Sequence, residues 1–500
     1  MQIFWLKRNL RLQDSVPFFL SMKASRSYGK VLPLYVHEPG LIAQPDVSRQ
    51  HQAFISETLV ELSTEFEALG GQLLQAIGET VSVLERIHRC SPITRICTHC
   101  ETTQNAQYER DIAVRAWCRE KEIELMEVEQ NGVARGKQSL EAFAEYFSRA
   151  IGNSLKDPTG ADLSQRFARL PFTSCAISDI PLAAGADKPG RQRGGRQAGQ
   201  DILNNFFNVR NLSRYPSRIS SPNTAWASCS RVSTYLAYGI VSDREVFQAV
   251  DRVVSIGHGT LTAPEFARLQ NRARFFLDRL NWRRQYLQVF ESHPHVETRC
   301  MLPQFDGVRE AEFDEGLFLA WSTGRTGIPY IDAAMRCLRD CGWINMRLRA
   351  TLVSFATMNC WLPTHRVAQL LATEFLDYEP GIHHVIHQIV SGTSDFQALM
   401  IYDPMKQARD HDPQGQFIRR WVPELADLSG AEVHELARTA GCHSRIAEDL
   451  GHGPYPAPVV DCKLTAKSAK SRIHALKNGF PDPGRDSGGA NTSSPQLGLI

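Results

Sequence analysis

The first 130 residues alternate between short apolar runs and segments of helical periodicity, and this alternation restricts the possible folds more than any other feature. The apolar runs have the composition of β-strands, and they are Gln2–Leu6, Val31–Val36, Gln72–Gln75, Arg95–Thr98 and Ile123–Glu127. The helical patterns between them are Asp46–Leu69, Thr80–His88 and Asn105–Glu120. Strands that alternate with helices build a parallel sheet with helices on both faces. The sequence therefore predicts an α/β doubly wound parallel-sheet N-terminal domain over residues 1–130.

The remaining chain divides into a connector, a helical region and a tail. Residues 131–205 show little periodicity, and their stretch Gly185–Gly199 is rich in Gly, Arg and Gln, which is typical of a long connector. Residues 206–478 carry apolar side chains three and four apart, which predicts an all-α C-terminal domain. Residues 479–500 are rich in Gly, Ser, Pro and Asn, and they predict a disordered tail.

The chain contains no sign of a membrane span or an export signal. It lacks an apolar run of about 18 residues, which is the length that a spanning helix requires. Its N-terminus opens directly on Ile3-Phe4-Trp5-Leu6, a pattern typical of a core strand rather than of a signal peptide. We therefore expect a cytoplasmic protein, or an organellar or nuclear one if the source is eukaryotic.

Two short motifs invite a metal hypothesis, and neither has enough ligands. Cys97 and Cys100 form a lone CxxC, whereas a structural metal site needs a second pair. His383 and His387 lie four apart on a predicted helix, but no third His or Cys is evident nearby. The sequence therefore predicts no metal.

The C-terminal half contains three stretches that could bind an anion or a planar ring. Small hydroxyl residues cluster in Ser228–Ser242 just before a helix, which fits either an anion site or a plain N-cap. Leu280–Arg284 combines a Trp stacking plane with an Arg phosphate clamp, or it is a core helix with a snorkelling Arg. Arg349 could pair with Asp377 beside a planar heterocycle, because an unpaired charge inside a bundle is costly.

Basic residues concentrate in two segments, although the formal net charge is only +2. Residues 190–218 and 267–284 are dense in Arg, and the second segment interleaves them with Phe275, Phe276 and Trp282. Such a pattern is typical of a nucleic-acid groove, and it also fits a solvated helix face.

Several long motifs resemble those of photolyases and cryptochromes, and they occur in the order of that family over nearly the whole chain. They are Trp5–Asp14, Thr326–Arg336, Gly342–Arg349, Asp403–Leu425 and Tyr455–Asp461. The resemblance implies a U-shaped FAD held in the helical domain.

The resemblance also assigns the residues that would hold FAD. The cofactor-binding set is Tyr215, Cys229, Ser230, Val232, Ser233, Phe276, Arg283, Arg349, Asp377 and Glu379. In this assignment Ser230 and Ser233 hold the pyrophosphate, and the pair of Arg349 and Asp377 lies over the isoalloxazine.

The resemblance implies Trp282, Trp343, His383 and Arg279 as the residues that carry the chemistry. His383 would face the flavin N5 and, if protonated, stabilise an anionic reduced flavin. Arg279 stands where dimer-repairing members place a Glu, and the lesion pocket differs further at Met346 and Ile389. The usual lesion contacts are therefore altered, although Arg279 adds to the basic character that nucleic acids require.

The route that supplies electrons differs from the family pattern as well. His387 stands where the family has its flavin-proximal Trp, and Thr364 aligns near the middle Trp. Photoreduction would then use Trp361, Trp343 or Tyr378. In the N-terminal domain, Glu101 and Tyr108–Asp111 fall where the family holds an antenna pigment, either a folate or a deazaflavin.

Three functions follow from the resemblance. The first is blue-light-driven repair of a DNA lesion by electron transfer from reduced FAD, in which a monomeric protein acts on damaged DNA, either single- or double-stranded. The second is a cryptochrome-like photoreceptor without repair activity, and the third is a flavin-binding relic without photochemistry. Fold alone does not choose among them. The family plan along the whole chain favours repair.

Overall fold

The structure is a computed structural model, and it describes residues 1–130, 132–136, 155, 163–169, 171, 173–436 and 455–479. Apart from Gly479, the tail predicted over residues 479–500 lies outside these residues. The predicted boundaries of the domains stay a prediction.

A five-stranded parallel sheet forms the N-terminal part, as the alternation predicts. Its strands are β1 (Gln2–Leu6), β2 (Val31–His37), β3 (Leu74–Ile77), β4 (Arg95–His99) and β5 (Glu124–Val128). Their order is β3-β2-β1-β4-β5, so the chain reverses its winding direction between β1 and β4. In a doubly wound sheet a ligand crevice opens at this reversal, outside the carboxyl ends of the strands.

Helices cover both faces of the sheet. They are α1 (Val16–Lys23), α2 (Ser25–Tyr28), α3 (Pro39–Ile42), α4 (Arg49–Ala68), α5 (Thr80–Cys90) and α6 (Asn105–Glu120). The prediction missed α1, which begins with Pro17 in its first turn, a position where proline costs no hydrogen bond. Its Phe18 packs with ring centroids 5.3 Å from Phe4 and 5.7 Å from Phe66, so this helix closes one face of the sheet.

From residue 173 onward the described chain is helical and contains no strand. Its helices are α7 (Arg196–Phe206), α8 (Val209–Arg218), α9 (Pro222–Ser228), α10 (Ser233–Ala237), α11 (Asp243–Thr260), α12 (Ala263–Ser292), α13 (Glu315–Ser322), α14 (Pro329–Cys341), α15 (Met346–Ser354), α16 (Thr364–Glu374), α17 (Pro380–Val390), α18 (Pro404–His411), α19 (Gln416–Trp421), α20 (Gly430–Leu436) and α21 (Cys462–Asn478). This arrangement confirms the predicted all-α region. No helix among the described residues combines the length and the apolarity that crossing a bilayer requires.

Asparagine caps set the start of two helices in this region. The Asn208 side chain accepts a hydrogen bond from the Asn211 backbone at 2.9 Å and separates α8 from α7. Asn345 caps α15 through the Leu348 backbone, and α15 continues into a π-turn over Phe355–Asn359.

The connector predicted around Gly185–Gly199 packs between the sheet region and the helical region. The Lys188 ammonium donates to the Leu338 carbonyl at 2.9 Å and pairs with Glu374. Arg191 pairs with Glu57 of α4 at 2.7 Å. Helix α7 begins at Arg196, within the segment that was predicted to be connector.

A tight turn at Gly342 directs the chain from α14 into the segment before α15. Gly342 has a φ of +67°, a left-handed conformation that side chains disfavour. A β-carbon at this position would lie 2.5 Å from the Gln50 Oε1 and 3.2 Å from the Leu376 Cβ. Only glycine therefore allows the close approach of this turn to α4 and to the chain before Asp377.

We expect Gly342→Ala to lower the free energy of unfolding by about 1–2 kcal/mol, since the left-handed conformation alone costs that much for a residue with a β-carbon. The matched control is Gly259→Ala within α11, where no heavy atom lies within 4 Å of the added carbon. That change should raise stability by about 0.5–1 kcal/mol. Urea unfolding followed by circular dichroism measures both, and equal stability of Gly342→Ala and the parent would contradict the argument.

Candidate functional site

A cavity of about 270 Å³ opens between α8, α12, the loop before α10, the segment after α14 and the start of α17. It is called the helical cavity below. The sequence-predicted residues that line it are Tyr215, Cys229, Ser230, Val232, Ser233, Phe276, Arg279, Trp282, Arg283, Trp343, Arg349, Asp377 and Glu379. The fold therefore brings together residues that lie more than 160 positions apart in the sequence.

The loop Cys229–Ser233 forms one wall of the helical cavity. Its Arg231 has a φ of +51°, a left-handed conformation that is uncommon for a residue with a side chain. The Ser233 hydroxyl donates to the Asp377 Oδ2 at 2.7 Å, so the loop is anchored to the opposite wall. Ser242 plays a different part: it caps α11 by accepting from the Glu245 backbone at 3.2 Å. The N-cap interpretation therefore applies to Ser242, whereas Ser230 and Ser233 face the cavity.

An ion pair between Arg349 and Asp377 lies on the cavity wall, as the sequence predicts. The Arg349 Nη2 lies 2.8 Å from each carboxylate oxygen of Asp377. The Arg349 guanidinium also covers the Phe375 ring at 4.1 Å, which fixes its plane. Asn345 caps α15 and donates to the Ile219 carbonyl at 2.8 Å, so the helix that carries Arg349 is held firmly.

A second buried ion pair joins Arg283 to Glu379. The Arg283 Nη2 lies 2.6 Å and 2.7 Å from the two carboxylate oxygens of Glu379, and Asp243 lies 3.4 Å from its Nη1. Burial raises the pKa of the Glu379 carboxyl, and the neighbouring Arg283 opposes this rise. The snorkelling interpretation of Arg283 is therefore wrong, because its head group is 7% exposed and paired inside the protein.

The helical cavity carries an excess of positive charge. Its lining includes five arginines and two carboxylates, namely Arg231, Arg279, Arg283, Arg347, Arg349, Asp377 and Glu379. Four of these arginines keep a buried nitrogen without a hydrogen-bond partner: the Nε of Arg231, Arg283 and Arg347 and the Nη1 of Arg279. Burial lowers the pKa of Arg279, and nearby Arg347 lowers it further. Unpartnered buried donors are costly, so the cavity is suited to an anionic ligand.

Arg279 is clamped between two aromatic rings on its own helix. Its guanidinium lies 4.1 Å from the centroid of Trp282 and 4.4 Å from that of Phe275. Residues four before and three after Arg279 share its face of α12, which explains this stack. The stack orients a rigid cationic fork toward the cavity.

His383 does not line the helical cavity, and the prediction that it faces a ligand there is wrong. Its Nε2 lies 2.7 Å from the Ala368 carbonyl of α16, on the far side of α17. Ile382 and Ile386 line the cavity instead. Burial lowers the pKa of His383 well below its usual value, which disfavours the protonated imidazole that would stabilise an anionic flavin.

Three histidines of α17 form a buried cluster behind the cavity. The rings of His383 and His387 lie 4.1 Å apart, and those of His383 and His384 lie 5.4 Å apart. The His387 Nδ1 bonds to the His383 carbonyl at 2.6 Å. Burial lowers the pKa of His384 to about 3 and that of His387 to about 4. Within the part of the chain that the structure describes, no three His, Cys, Asp or Glu side chains are grouped to hold a metal ion.

The other candidates for an electron route lie outside the helical cavity. Trp361 is 9% exposed, and the guanidiniums of Arg309 and Arg472 cover its ring at 4.6 Å and 3.9 Å. The Tyr378 hydroxyl donates to the Asp46 Oδ2 at 2.8 Å. Tyr378 lines a different cavity, at the edge of the sheet.

This sheet-edge cavity has a volume of about 160 Å³ and lies at the carboxyl ends of β1, β2 and β4. Glu101 and Arg110 line it and pair at 2.6 Å, as expected for residues predicted at an antenna site. Tyr108 and Asp111 do not line it, so their part of that prediction is wrong. The Tyr108 hydroxyl donates to Glu291 at 2.6 Å, and Asp111 pairs with Lys7 at 2.8 Å.

The sequence prediction missed several cavity residues. Tyr286 lies four positions after Trp282 on the same face of α12, so helical spacing could have indicated it. Arg231 sits between the two predicted serines of its loop. Arg347 lies two positions before Arg349 on α15, and both line the cavity.

The chain matches two models that describe parts of one protein family. Residues 2–141 match the model for DNA photolyase, and residues 276–475 match the model for the FAD binding domain of DNA photolyase. A deoxyribodipyrimidine photo-lyase from Streptomyces griseus is 25% identical over 91% of this chain and 94% of its own length. Cryptochrome-2 from Arabidopsis thaliana is 25% identical over 86% of this chain and 72% of its own length.

Solved structures share the fold over nearly the whole chain. A class III photolyase from Agrobacterium tumefaciens aligns with a TM-score of 0.78 at 21% identity, covering 95% of this chain and 98% of the other. An archaeal photolyase from Sulfolobus tokodaii, which contains two FAD molecules, aligns with a TM-score of 0.71 at 25% identity, covering 95% and 99%. These likenesses confirm the predicted fold class.

We expect the buried histidines to make the free energy of unfolding fall as the pH decreases from about 6.5 to 4. Burial holds the pKa of His387 near 4 and that of His384 near 3, so only the unfolded chain takes up their protons in this range. Each such histidine contributes about 1.4 kcal/mol per pH unit. His387→Gln should reduce the slope by about that amount, measured by urea unfolding at several pH values.

Above pH 7 these histidines are neutral in both states, so the variant and the parent should show the same pH slope there. An unchanged slope of His387→Gln between pH 6.5 and 4 would contradict the neutral cluster.

Proposed function

The chain belongs to the DNA photolyase and cryptochrome family, and from this premise we propose that it is a blue-light-driven, FAD-dependent repair protein that acts on a DNA lesion. Its helical region contains the family's FAD-binding domain. The observation that carries the proposal is the helical cavity, which combines two buried ion pairs with three arginines outside those pairs, Arg231, Arg279 and Arg347, that each keep an unpartnered buried nitrogen.

The residues of the helical cavity fit FAD. The pyrophosphate of FAD is a dianion, and the loop of Ser230 and Arg231 offers a hydroxyl and an unpartnered guanidinium nitrogen to it. Arg349 and Asp377 would lie beside the isoalloxazine, and Tyr215 and Phe276 would exclude water. Bound FAD would supply light absorption and one-electron chemistry.

The part of the helical cavity around Trp282 would face the substrate. Arg279 presents a rigid guanidinium beside Trp282, and Trp343 and Met346 line the same cavity. Cations and aromatic planes together are what nucleic-acid backbones and exposed bases require. Relatives are named deoxyribodipyrimidine photo-lyases, which supports DNA as the partner. The absence of a carboxylate at position 279 favours a lesion other than the usual dimer, or a single-stranded substrate.

A cryptochrome-like photoreceptor without repair activity is the second candidate. The observation that favours it is that both carboxylates lining the helical cavity, Asp377 and Glu379, are already bound to arginines. The part of the cavity that the structure describes therefore offers no free carboxylate to hold the bases of a lesion.

The sheet-edge cavity is the proposed place for an antenna pigment. Glu101, Arg110 and Tyr35 line it, and together they offer charged and aromatic contacts to a folate or a deazaflavin. The archaeal relative with two FAD molecules is described as implying a novel light-harvesting cofactor, which makes a second flavin a further choice.

We expect Arg349→Leu to reduce the FAD that co-purifies with the protein, because Asp377 would be left buried and unpaired beside the cofactor. Truncating one partner of a buried charged pair costs about 2–5 kcal/mol. The matched control is Arg336→Leu, which removes a pair with Glu424 of similar 2.6 Å geometry remote from the cavity. The measurement is the amount of FAD released on denaturation per mole of protein, compared among the two variants and the parent. A colourless parent protein would refute FAD binding.

We expect Arg279→Glu to weaken binding of a lesion-containing oligonucleotide. The slope of the logarithm of the binding constant against the logarithm of the salt concentration should become shallower by about one. Arg274→Glu, an exposed position on the same helix, makes the same charge change away from the cavity and should have a smaller effect. Fluorescence anisotropy at several salt concentrations measures both with single- and double-stranded DNA. Equal effects of the two variants would argue against a role of Arg279 in the cavity.

The repair activity itself is tested by illuminating the reduced protein with cyclobutane and (6-4) lesions in both kinds of strand. Light-dependent restoration of either lesion supports the proposal. Absence of restoration on every substrate would favour the photoreceptor.

A further inference from the structure

Two cysteines lie side by side in the last turns of α14, and we propose that they form a reversible thiol–disulfide site that hydrogen peroxide oxidises. The Sγ atoms of Cys337 and Cys341 lie 3.7 Å apart, and both side chains are buried. The two residues are four positions apart, which places them on one face of the helix. Neither is among the described residues that line the helical cavity, so this site goes beyond the proposed repair function.

The spacing of the two cysteines allows a bond between them after a small movement. Residues four apart on a helix hold their β-carbons about 5–6 Å apart, whereas a disulfide holds them about 3.5–4.5 Å apart. Cys341 is the last residue of α14, where the backbone carbonyls have no helical partners and the turn tightens most easily. A disulfide at this place is strained, and strained disulfides are the labile ones that a dithiol reduces readily.

The surroundings make Cys341 the thiol that loses its proton first. The neighbouring Cys337 thiol lowers the pKa of Cys341, burial opposes this effect, and the Lys188 ammonium lowers the pKa further. The same contact raises the pKa of Cys337, which therefore stays protonated. Because the thiolate is the nucleophile, Cys341 attacks the peroxide and Cys337 then attacks the oxidised sulfur.

Access to the pair selects a small oxidant. Cys337 is 9% exposed and Cys341 is 6% exposed. The connector lies over the end of α14, because the Gly190 backbone N–H donates to the Asp340 carbonyl at 3.3 Å. Hydrogen peroxide is little larger than water and reaches the sulfurs through the remaining opening, whereas the connector keeps a protein oxidant away from them.

The oxidation balances in atoms and electrons. The Cys341 thiolate attacks one peroxide oxygen, so that an S–O bond forms, the O–O bond breaks and hydroxide leaves. The Cys337 sulfur then attacks the Cys341 sulfur, so that an S–S bond forms, the S–O bond breaks and a second hydroxide leaves. The protons of the two thiols convert both hydroxides to water. A dithiol in solution reverses the bond by two exchange steps and itself becomes a disulfide.

Oxidation acts on the helical cavity through the turn that follows α14. The protonated Cys341 thiol donates to the Trp343 carbonyl at 3.0 Å, and Trp343 lines the cavity. This hydrogen bond ends on oxidation, because a disulfide carries no thiol hydrogen. The intervening Gly342 is packed so closely that a β-carbon on it would lie 2.5 Å from the Gln50 Oε1. The turn therefore passes the tightening of α14 on to Trp343.

The site is tested on the full-length protein by treatment with hydrogen peroxide, alkylation of the remaining thiols and mass spectrometry of a tryptic digest. Cleavage after Arg336, Arg339 and Arg347 separates the two cysteines into peptides 337–339 and 340–347. We expect a disulfide to join these two peptides, and we expect dithiothreitol to remove it. Alkylation of both cysteines after peroxide treatment, or links to other cysteines only, would overturn the proposal.

Variants separate this pair from other oxidised groups. Cys337→Ser and Cys341→Ser should each abolish the link. Cys337→Ser should also accumulate a sulfenic acid at Cys341, which a dimedone probe labels. The matched control is Cys118→Ser, which removes a buried thiol of α6 and should leave the link intact.

The effect on the cavity is measured as FAD affinity, and this part alone rests on the proposed function. We expect the oxidised parent to bind FAD about tenfold more weakly than the reduced parent, whereas Cys337→Ser should bind it equally before and after peroxide treatment. Cys229 lines the cavity and is still present in that variant, which therefore controls for oxidation there.

The outcomes distinguish the two proposals. A parent protein that binds no FAD in either state refutes the proposed function, while the peptide link still decides the thiol site. If the link forms and the FAD affinity is the same in both states, the coupling to Trp343 is wrong.

Discussion

The short segment Asp377-Tyr378-Glu379 supports both cavities, and its two buried ion pairs are the interactions on which the site depends. Asp377 and Glu379 point into the helical cavity and bind Arg349 and Arg283, whereas Tyr378 points into the sheet-edge cavity. Its carbonyl accepts from the Arg8 guanidinium at 2.6 Å, which ties the segment to the end of β1. Removing one partner of such a pair costs about 3–5 kcal/mol, since the other charge stays buried.

These pairs also determine what charge is left for a ligand. Because they neutralise two arginines, the positive potential of the helical cavity arises from Arg231, Arg279 and Arg347, whose buried nitrogens lack partners. Arg231 lies on the loop that would meet the pyrophosphate, and Arg279 lies beside Trp282. The cavity therefore presents cations to two distinct groups, and a cofactor dianion compensates only part of the charge. The remainder is available to an anionic substrate.

Sequence reasoning succeeded where the pattern is long or the contact is chemically obligatory. The strand and helix alternation gave the sheet, and a carboxylate within a helical bundle had to pair with an arginine, which indicated Asp377 and Arg349. Sequence reasoning failed where a shift of one position along a helix changes which way a side chain points. Successive residues of a helix point about 100° apart, so His383 faces α16 while its neighbour Ile382 lines the cavity. Likewise, no local signal shows that Trp226 meets Trp343, because that contact joins distant parts of the chain.

Two features of the helical region lie on different sides of the helical cavity. At His387, where the family resemblance implies an indole, burial holds the pKa of the imidazole near 4, and its ring lies 4.1 Å from that of His383. The ring of Trp343, which lines the cavity, contacts that of the half-exposed Trp226, and the guanidinium of Arg231 covers Trp226. The loop of Arg231 holds a strained residue at the predicted pyrophosphate site and a guanidinium over the indole of Trp226. A change in this short loop should therefore affect the anion site and the neighbouring aromatic contact together, because the side chain of Arg231 belongs to both.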